Sequence, residues 1–425
     1  MKRFVKYVVT AFLGIFARAV VRRYRPQVVM VTGSVGKTTT KDAVAAVLAT
    51  RYFLRKSEKS FNSEFGVPLT IFGVPNPERN IMCWLGVAKS ALALLLLPNH
   101  YPNLLVLEVG ADRPRDLAKI LRIATPQAVV VTRLPEVPVH VEAYATPEDV
   151  REEEFSPAYA LPPAAPLVYA SEDAYARRYA ARVSARPFTY GESADASVRL
   201  SDASFYAEDG RVLGMRARVE TAAGESGELI VKGSVGKTQL LPGAAAIATG
   251  LAFGVPLTEA LAALAAYEPP PGRGRLLAGK YDSTLVDETY NASPAAMEAA
   301  LATLHAFPGA KRRVAVLGDM LELGRYSVAE HERIGALAAQ AADLVVTVGV
   351  RARRIGEQAT KAGAEVIAFD DSRAAAAALL PQPGDVILVK GSQSMRTERI
   401  VHALLADPLD TARLVRQDRA WQKRG

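Results

Sequence analysis

A short apolar run, Val28–Val31, stops at the glycine-rich stretch Gly33-Ser34-Val35-Gly36-Lys37-Thr38-Thr39, and a helical pattern, Asp42–Leu48, follows directly. No other stretch of the chain constrains the fold as tightly. Strand, glycine loop and helix in that order aim backbone N–H groups, and the roughly half positive charge of a helix N-terminus, at an anion. In such a loop Lys37 reaches nucleotide phosphates, and the Thr38 hydroxyl suits Mg²⁺. Val31 stands where the full Walker pattern has its first Gly. The competing reading is therefore a tight strand–helix turn without ligand.

Further buried-strand candidates are Leu104–Val109, Ala128–Thr132, Leu285–Asp287, Val314–Leu317, Leu344–Val348 and Val386–Val389. Several alternate with Ala-rich helical segments, which predicts an α/β fold with parallel sheets. Residues 187–231 are short, polar-alternating and turn-rich, and predict an antiparallel meander. The run Pro269–Gly274 is the expected linker. The expected units are residues 1–27, a basic apolar helix; 28–272, a central nucleotide-binding domain; and 273–425, a C-terminal α/β domain. At 425 residues, half of them apolar, the chain is long enough for two or three cores and too apolar to be disordered. One cysteine, Cys83, excludes an intramolecular disulfide framework and any multi-cysteine metal site.

Glu108 ends an apolar strand just before Gly110. That places a carboxylate at the carboxyl end of a parallel strand, where ligands bind in such sheets. It reads as a Mg²⁺ ligand or as an exposed strand-end acid. His140 follows another strand end and reads as a structural histidine or a metal ligand. GSVGKT recurs at Gly233–Thr238. No second set of metal ligands accompanies it, which argues against a second phosphate loop.

The net charge of +8 is concentrated at the ends. Lys2, Arg3, Lys6, Arg18, Arg22, Arg23 and Arg25 precede any acid, and Arg413, Arg416, Arg419, Lys423 and Arg424 close the chain. Basic and aromatic residues are not interleaved as in single-strand binders, and no DNA-reading motif is present, so nucleic acid is not an expected partner. Phe4–Val21 is apolar with polar or small positions every four residues, and its uninterrupted core is shorter than the roughly 20 residues of a membrane span. Ile81–Leu97 is a second apolar stretch, with one Lys89. Both predict helices in contact with a membrane surface. Burial against the protein is the competing reading.

The blocks GSVGKTTTK, FNSEFGVPLT (61–70), LEVGADRP (107–114), VDETYNASPAAM (286–297), VAVLGDMLELG (314–324) and VKGSQSMRTERIV (389–401) run in this order along residues 28–405. Together they resemble the Mur ligase family, closest to the MurF branch, which joins D-alanyl-D-alanine to a UDP-linked muramoyl peptide. The resemblance implies a P-loop-type central domain facing a Rossmann-like C-terminal domain. It also implies ATP-driven amide formation through an acyl phosphate, with Mg²⁺, in peptidoglycan and cell-wall biogenesis. By resemblance, Gly33 to Thr39 bind the nucleotide phosphates, with Lys37 and His140 catalytic. Thr38, Glu108 and His140 hold metal, and Arg273 and Asn291 contact nucleotide. Asn62 and Glu64 lie on the acceptor side, and Asp319 and Glu322 face the incoming amine.

The sequence departs from the family in three places. About 27 basic, apolar residues stand where the family carries its UDP-binding domain. The loop before His140, Arg133 to Val139, is altered. The family's carbamylated Lys has no counterpart, and Glu154 in the run Glu152-Glu153-Glu154 best fits its position, as a catalytic and metal-binding carboxylate. The expected partners are a small-molecule or lipid-linked peptide acceptor and an amino acid or dipeptide amine. The expected location is cytoplasmic, peripheral on the inner membrane face, as a monomer. The alternatives are a Mur-type ligase for a polyglutamate or another amino-acid polymer, and a membrane-attached nucleotide-binding protein without ligase activity.

Overall fold

The structure, a computed structural model, describes residues 2–58, 61–77, 81–418 and 421, with the side chains of 2–8 and 81 outside the description. The side chains of Lys2, Arg3 and Lys6, and Arg419, Lys423 and Arg424 altogether, lie outside the description, and with them the expectations that rest on their charges.

The strands of the first half are β1 Gln27–Thr32, β2 Leu54–Lys56, β3 Leu104–Glu108, β4 Ala128–Val131, β5 Pro166–Ala170, β6 Arg186–Gly191, β7 Val198–Glu208, β8 Arg211–Thr221 and β9 Ser226–Lys232. They form one sheet in the order β2-β3-β1-β4-β5-β6-β7-β8-β9. Pairing is parallel from β2 through β6 and antiparallel from β7 to β9. The meander expected over 187–231 therefore begins later. β6 follows the helix Ala174–Ala180, so it returns as a crossover strand parallel to β5.

The helices of this half that bear on the site are α1 Lys2–Tyr24, α2 Lys37–Leu48, α3 Gly66–Phe72, α4 Ile81–Leu96, α5 Asp116–Leu121 and α6 Pro147–Phe155. Successive side chains of a strand point to opposite faces. Val29 and Val31 of β1 accordingly join a core with α2 and the helix Leu240–Ala252. Val28 and Met30 join a second core with α1, α3 and α4. Both faces of β1, β3 and β4 are thus covered, which is why these strands read as nearly continuous Val and Leu. Leu13, Ala17 and Val20 of α1 are fully buried. The competing reading of the two apolar helices therefore holds for one face of each. Among the described residues no helix is long and apolar enough to cross a membrane.

The strands of the second half are β10 Arg275–Gly279, β11 Ser283–Glu288, β12 Arg312–Gly318, β13 Leu344–Val348, β14 Glu365–Phe369 and β15 Asp385–Lys390. Their order is β10-β11-β15-β12-β13-β14, parallel except for the β10–β11 pair. The carboxyl ends of β11 and β15 deliver Glu288 and Lys390 side by side.

Candidate active site

Register builds the phosphate-loop end of the site. Val31 pairs with Glu108, so the strand that launches the loop ends beside a carboxylate. The loop closes on Gly36, at φ 89° the residue before α2. Gly33, at φ 113°, sits where a Cβ would lie 2.4 Å from Thr132 Oγ1, so a side chain there has no room. Ser34 N donates to Arg133 O at 3.0 Å, and Lys37 Nζ rests on Gly33 O at 2.5 Å. At Gly110 a Cβ would come within 3.4 Å of both Asn62 Nδ2 and Lys37 Cε, so this glycine lets loop and lysine approach.

Thr38 Oγ1 donates to Glu108 Oε1 at 3.2 Å, and Glu108 Oε2 is buried with no hydrogen-bond partner. Burial raises the pKa of Glu108, opposed by the charges of Lys41, Lys37 and Arg273. Polar atoms buried in this way are normally satisfied. An orphaned carboxylate oxygen next to a hydroxyl forms a pair of hard oxygen donors, which fits a magnesium ion.

The other expected metal ligands are differently engaged. Glu154 is 1% exposed, accepts from Ser34 Oγ at 2.5 Å, and gives its carbonyl to Thr32 Oγ1 at 2.6 Å. Burial raises its pKa against the charges of Lys37 and His140. Its visible partner is thus the phosphate loop itself. α6 is capped by Thr146, whose side chain forms a reciprocal capping box with Asp149, and this fixes the helix that carries Glu154. His140 Nδ1 lies 2.9 Å from Glu322 Oε2, and its Nε2 lies 3.5 Å from Asp112 Oδ1. The four-residue set Thr38, Glu108, His140 and Glu154 therefore divides into an oxygen pair at the loop, a loop-bound acid and a paired histidine. Among the described residues no group of three or more His, Cys, Asp or Glu side chains is placed to hold a metal ion.

The opposite wall comes from the second sheet. Arg273 stacks over the Tyr290 ring at 4.0 Å. Lys390 Nζ donates to Glu288 Oε2 and to Asn291 O, each at 3.0 Å, and Asn291 Oδ1 accepts from Gln393 N at 3.4 Å. Ser293 accepts from Ala296 N and Pro294 opens the helix Pro294–Ala306, so the sequence Asn-Ala-Ser-Pro is both strand exit and helix cap. Between the two walls lies a cleft of about 1030 Å³, lined among others by Lys37, Thr38, Asn62, Glu108, His140, Arg273, Asn291, Glu322 and Lys390.

Two expected substrate residues turn elsewhere. Asp319, 7% exposed, accepts from Ala352 N at 2.7 Å and is not among the residues that line the cleft. Glu64 pairs with Lys119 at 3.0 Å, beside the cleft wall rather than in it. Sequence reasoning singled out neither the Lys390–Glu288 pair nor the Arg273–Tyr290 stack, although the blocks VKGSQS and VDETYNASP contained the signal. The second GSVGKT braces the joint between the sheets. Ser234 Oγ donates to Arg273 O at 2.6 Å, Val235 N donates to Gly274 O at 2.8 Å, and Lys237 reaches outward to Glu192 at 3.5 Å.

Comparison with known proteins agrees with this geometry. The family profile described as the Mur ligase middle domain matches residues 31–248, and that of the Mur ligase glutamate ligase domain matches 272–393. The UDP-N-acetylmuramoyl-tripeptide–D-alanyl-D-alanine ligase of Bacillus subtilis is 28% identical over 92% of this chain and 79% of its own length. The enzyme of the same name from Mycobacterium tuberculosis H37Rv is 30% identical over 92% of this chain and 74% of its own. Among solved structures, the MurF ligase of Thermotoga maritima in complex with ADP superposes with a TM-score of 0.75 at 27% identity, covering 93% of this chain and 83% of that one.

Proposed function

The chain belongs to the Mur ligase family, and we propose that it is an ATP-dependent carboxylate–amine ligase that extends a cell-wall peptide precursor with D-alanyl-D-alanine or a similar amine. The observation that carries this reading is the single cleft in which a phosphate loop with its Thr38–Glu108 pair faces Arg273, Asn291 and Lys390 across the joint between two sheets. The acceptor carboxylate attacks the γ-phosphorus, ADP leaves, and an acyl phosphate forms. The amine then attacks the acyl carbon and loses a proton, and inorganic phosphate departs. Water in the cleft would hydrolyse the acyl phosphate, so closing the two halves over it protects this intermediate until the amine attacks.

The chain's own residues supply positioning and charge. Backbone amides of residues 33–39 and the start of α2 cradle phosphate, and Lys37, now on the Gly33 carbonyl, is within reach of the γ-phosphate oxygens. Glu154 holds Ser34 and, together with His140, sets the field around Lys37. Arg273 and Tyr290 form a flat surface suited to the nucleotide, and Asn291 lies beside it. Asn62, next to Lys37 at Gly110, belongs to the acceptor side, with Glu64 behind it. Glu322 belongs to the amine side. Thr38 and Glu108 would hold magnesium, which when bound neutralises phosphate charge. The location that fits is the ATP-supplied cytoplasm, peripheral to the membrane.

The test is phosphate release from ATP with a muramoyl tripeptide and D-alanyl-D-alanine supplied together and singly. Release should require both and fall by about 10²–10³-fold in Lys37→Ala. Equal release without either substrate would remove the ligase reading.

A further inference from the structure

α4 buries one face and shows a second apolar face to solvent. Val87, Ala91 and Leu94 are no more than 5% exposed, whereas Met82, Leu85, Leu92 and Leu96 are 72, 59, 44 and 72% exposed. The exposed four recur along one side of the helix, interrupted only by Lys89. α1 repeats the arrangement, with Leu13, Ala17 and Val20 inward and Phe12 and Ile15 outward at 40 and 68% exposure. The two helices are fastened at their carboxyl ends. Arg23 donates to Leu95 O at 2.5 Å and Tyr24 Oη to Leu94 O at 2.8 Å. This joins the arginine-bearing end of α1, with Arg18 and Arg22 exposed, to the leucine-rich end of α4. No Asp or Glu occurs in residues 1–41 or 79–107.

We propose that the outer faces of α1 and α4 dock the enzyme onto an anionic lipid bilayer. The surface carries what such a docking face needs: apolar side chains for the acyl boundary, arginines and a lysine for the headgroups, and, among the described residues of α1 and α4, no acid to repel them. α4, at 16 residues, is too short to span, so it lies on the surface. A second copy is a poorer occupant, because a two-fold pairing of this face would set Arg18, Arg22 and Lys89 near their own equivalents. Another side of α4 reaches toward the acceptor side of the cleft. Trp84 of α4 meets Phe65 edge-on at 5.6 Å between ring centres, and Phe65 belongs to the loop that brings Asn62 into the cleft. Docking therefore holds the acceptor side of the cleft close to lipid, which suits an acceptor carried on a lipid. This last step deepens the peripheral placement and rests on the acceptor-side assignment of Asn62 in the proposed function; the docking itself does not depend on ligase chemistry.

The experiment is sedimentation of the full chain with vesicles of equal phosphatidylglycerol and phosphatidylcholine, against vesicles of phosphatidylcholine alone, at low and high salt. The protein should pellet with the anionic vesicles at low salt and several-fold less at high salt. The pair Leu85→Glu and Leu96→Glu, and separately Arg18→Glu with Arg22→Glu, should each weaken partition by about tenfold or more at unchanged melting temperature. A full chain that stays in the supernatant overturns the proposal. So does vesicle binding that neither pair of substitutions reduces, or a dimer seen by light scattering that the Leu85→Glu and Leu96→Glu pair dissociates. ATP turnover measured on soluble substrates without vesicles tests the ligase reading separately, so either can fail while the other stands.

Discussion

At the scale of single residues, the most telling atom is Glu108 Oε2, buried and unpartnered beside the Thr38 hydroxyl. A carboxylate whose pKa is raised by burial binds a cation by recovering the charge interaction that water has lost. Glu108→Gln keeps the shape and removes the charge. It should raise the Mg²⁺ concentration needed for half-maximal phosphate release by about tenfold or more, with little change in melting temperature in the absence of nucleotide. An unchanged Mg²⁺ requirement would place the ion elsewhere. Residue identity was well signalled in the sequence here, since the glycine loop and the strand-end acid are local patterns. What each side chain touches was not. Asp319 is drawn inward by the Ala352 amide and Glu154 is taken up by Ser34, and neither partner is near in sequence.

At the scale of elements, helices and strands with a continuous apolar run were legible, and those without one were not. β13 falls on its expected residues, Leu344–Val348, because buried parallel strands are nearly all Val, Leu and Thr. β14, Glu365–Phe369, is an edge strand whose short apolar run Val366–Phe369 stays exposed or half-buried and was missed, and β2, with only three residues, is too short to carry a period. α1 read as a membrane-contacting helix with burial as the competing reading, because its inner and outer faces are both apolar. The buried face is the testable half. Leu13→Ala should destabilise the chain by about 2–5 kcal/mol in urea unfolding. Ile15→Ala, two residues away and 68% exposed, should change it by less than about 0.5 kcal/mol. Equal effects would mean that α1 does not pack as described.

At the scale of the whole molecule, the two sheets meet at the 269–274 joint and again across the cleft, where His140 holds Glu322 at 2.9 Å. Both residues have left-handed backbone, at φ 64° and 66°, a conformation found where surrounding structure holds a functional loop in place. Burial works to lower the His140 pKa, but the hydrogen bond and charge of Glu322 outweigh it, so the net shift is upward from 6.5. The hydrogen bond to His140 in turn lowers that of Glu322 from 4.5. A raised histidine contributes stability that is full below its unfolded pKa and lost as pH rises through the folded one. A depressed carboxylate contributes stability that is lost as pH falls through its folded pKa. The contact should therefore be strongest between those limits. Glu322→Gln should lower the melting temperature most between the ordinary carboxylate and imidazole ranges, by a small amount set by a half-exposed pair of at most about 1 kcal/mol, and the difference should fade as pH rises through the raised titration of His140. A pH-independent difference would remove the ion pair from the account. Attack of the acceptor's carboxylate oxygen on ATP, to make an acyl phosphate on the way to an amide, leaves a label that can be followed with an acceptor peptide carrying ¹⁸O in its carboxyl group, with ATP and D-alanyl-D-alanine. The expected products are ADP, a new amide bond, and one ¹⁸O from the acceptor in each released phosphate. Unlabelled phosphate, or ADP formed without amide, would contradict this route.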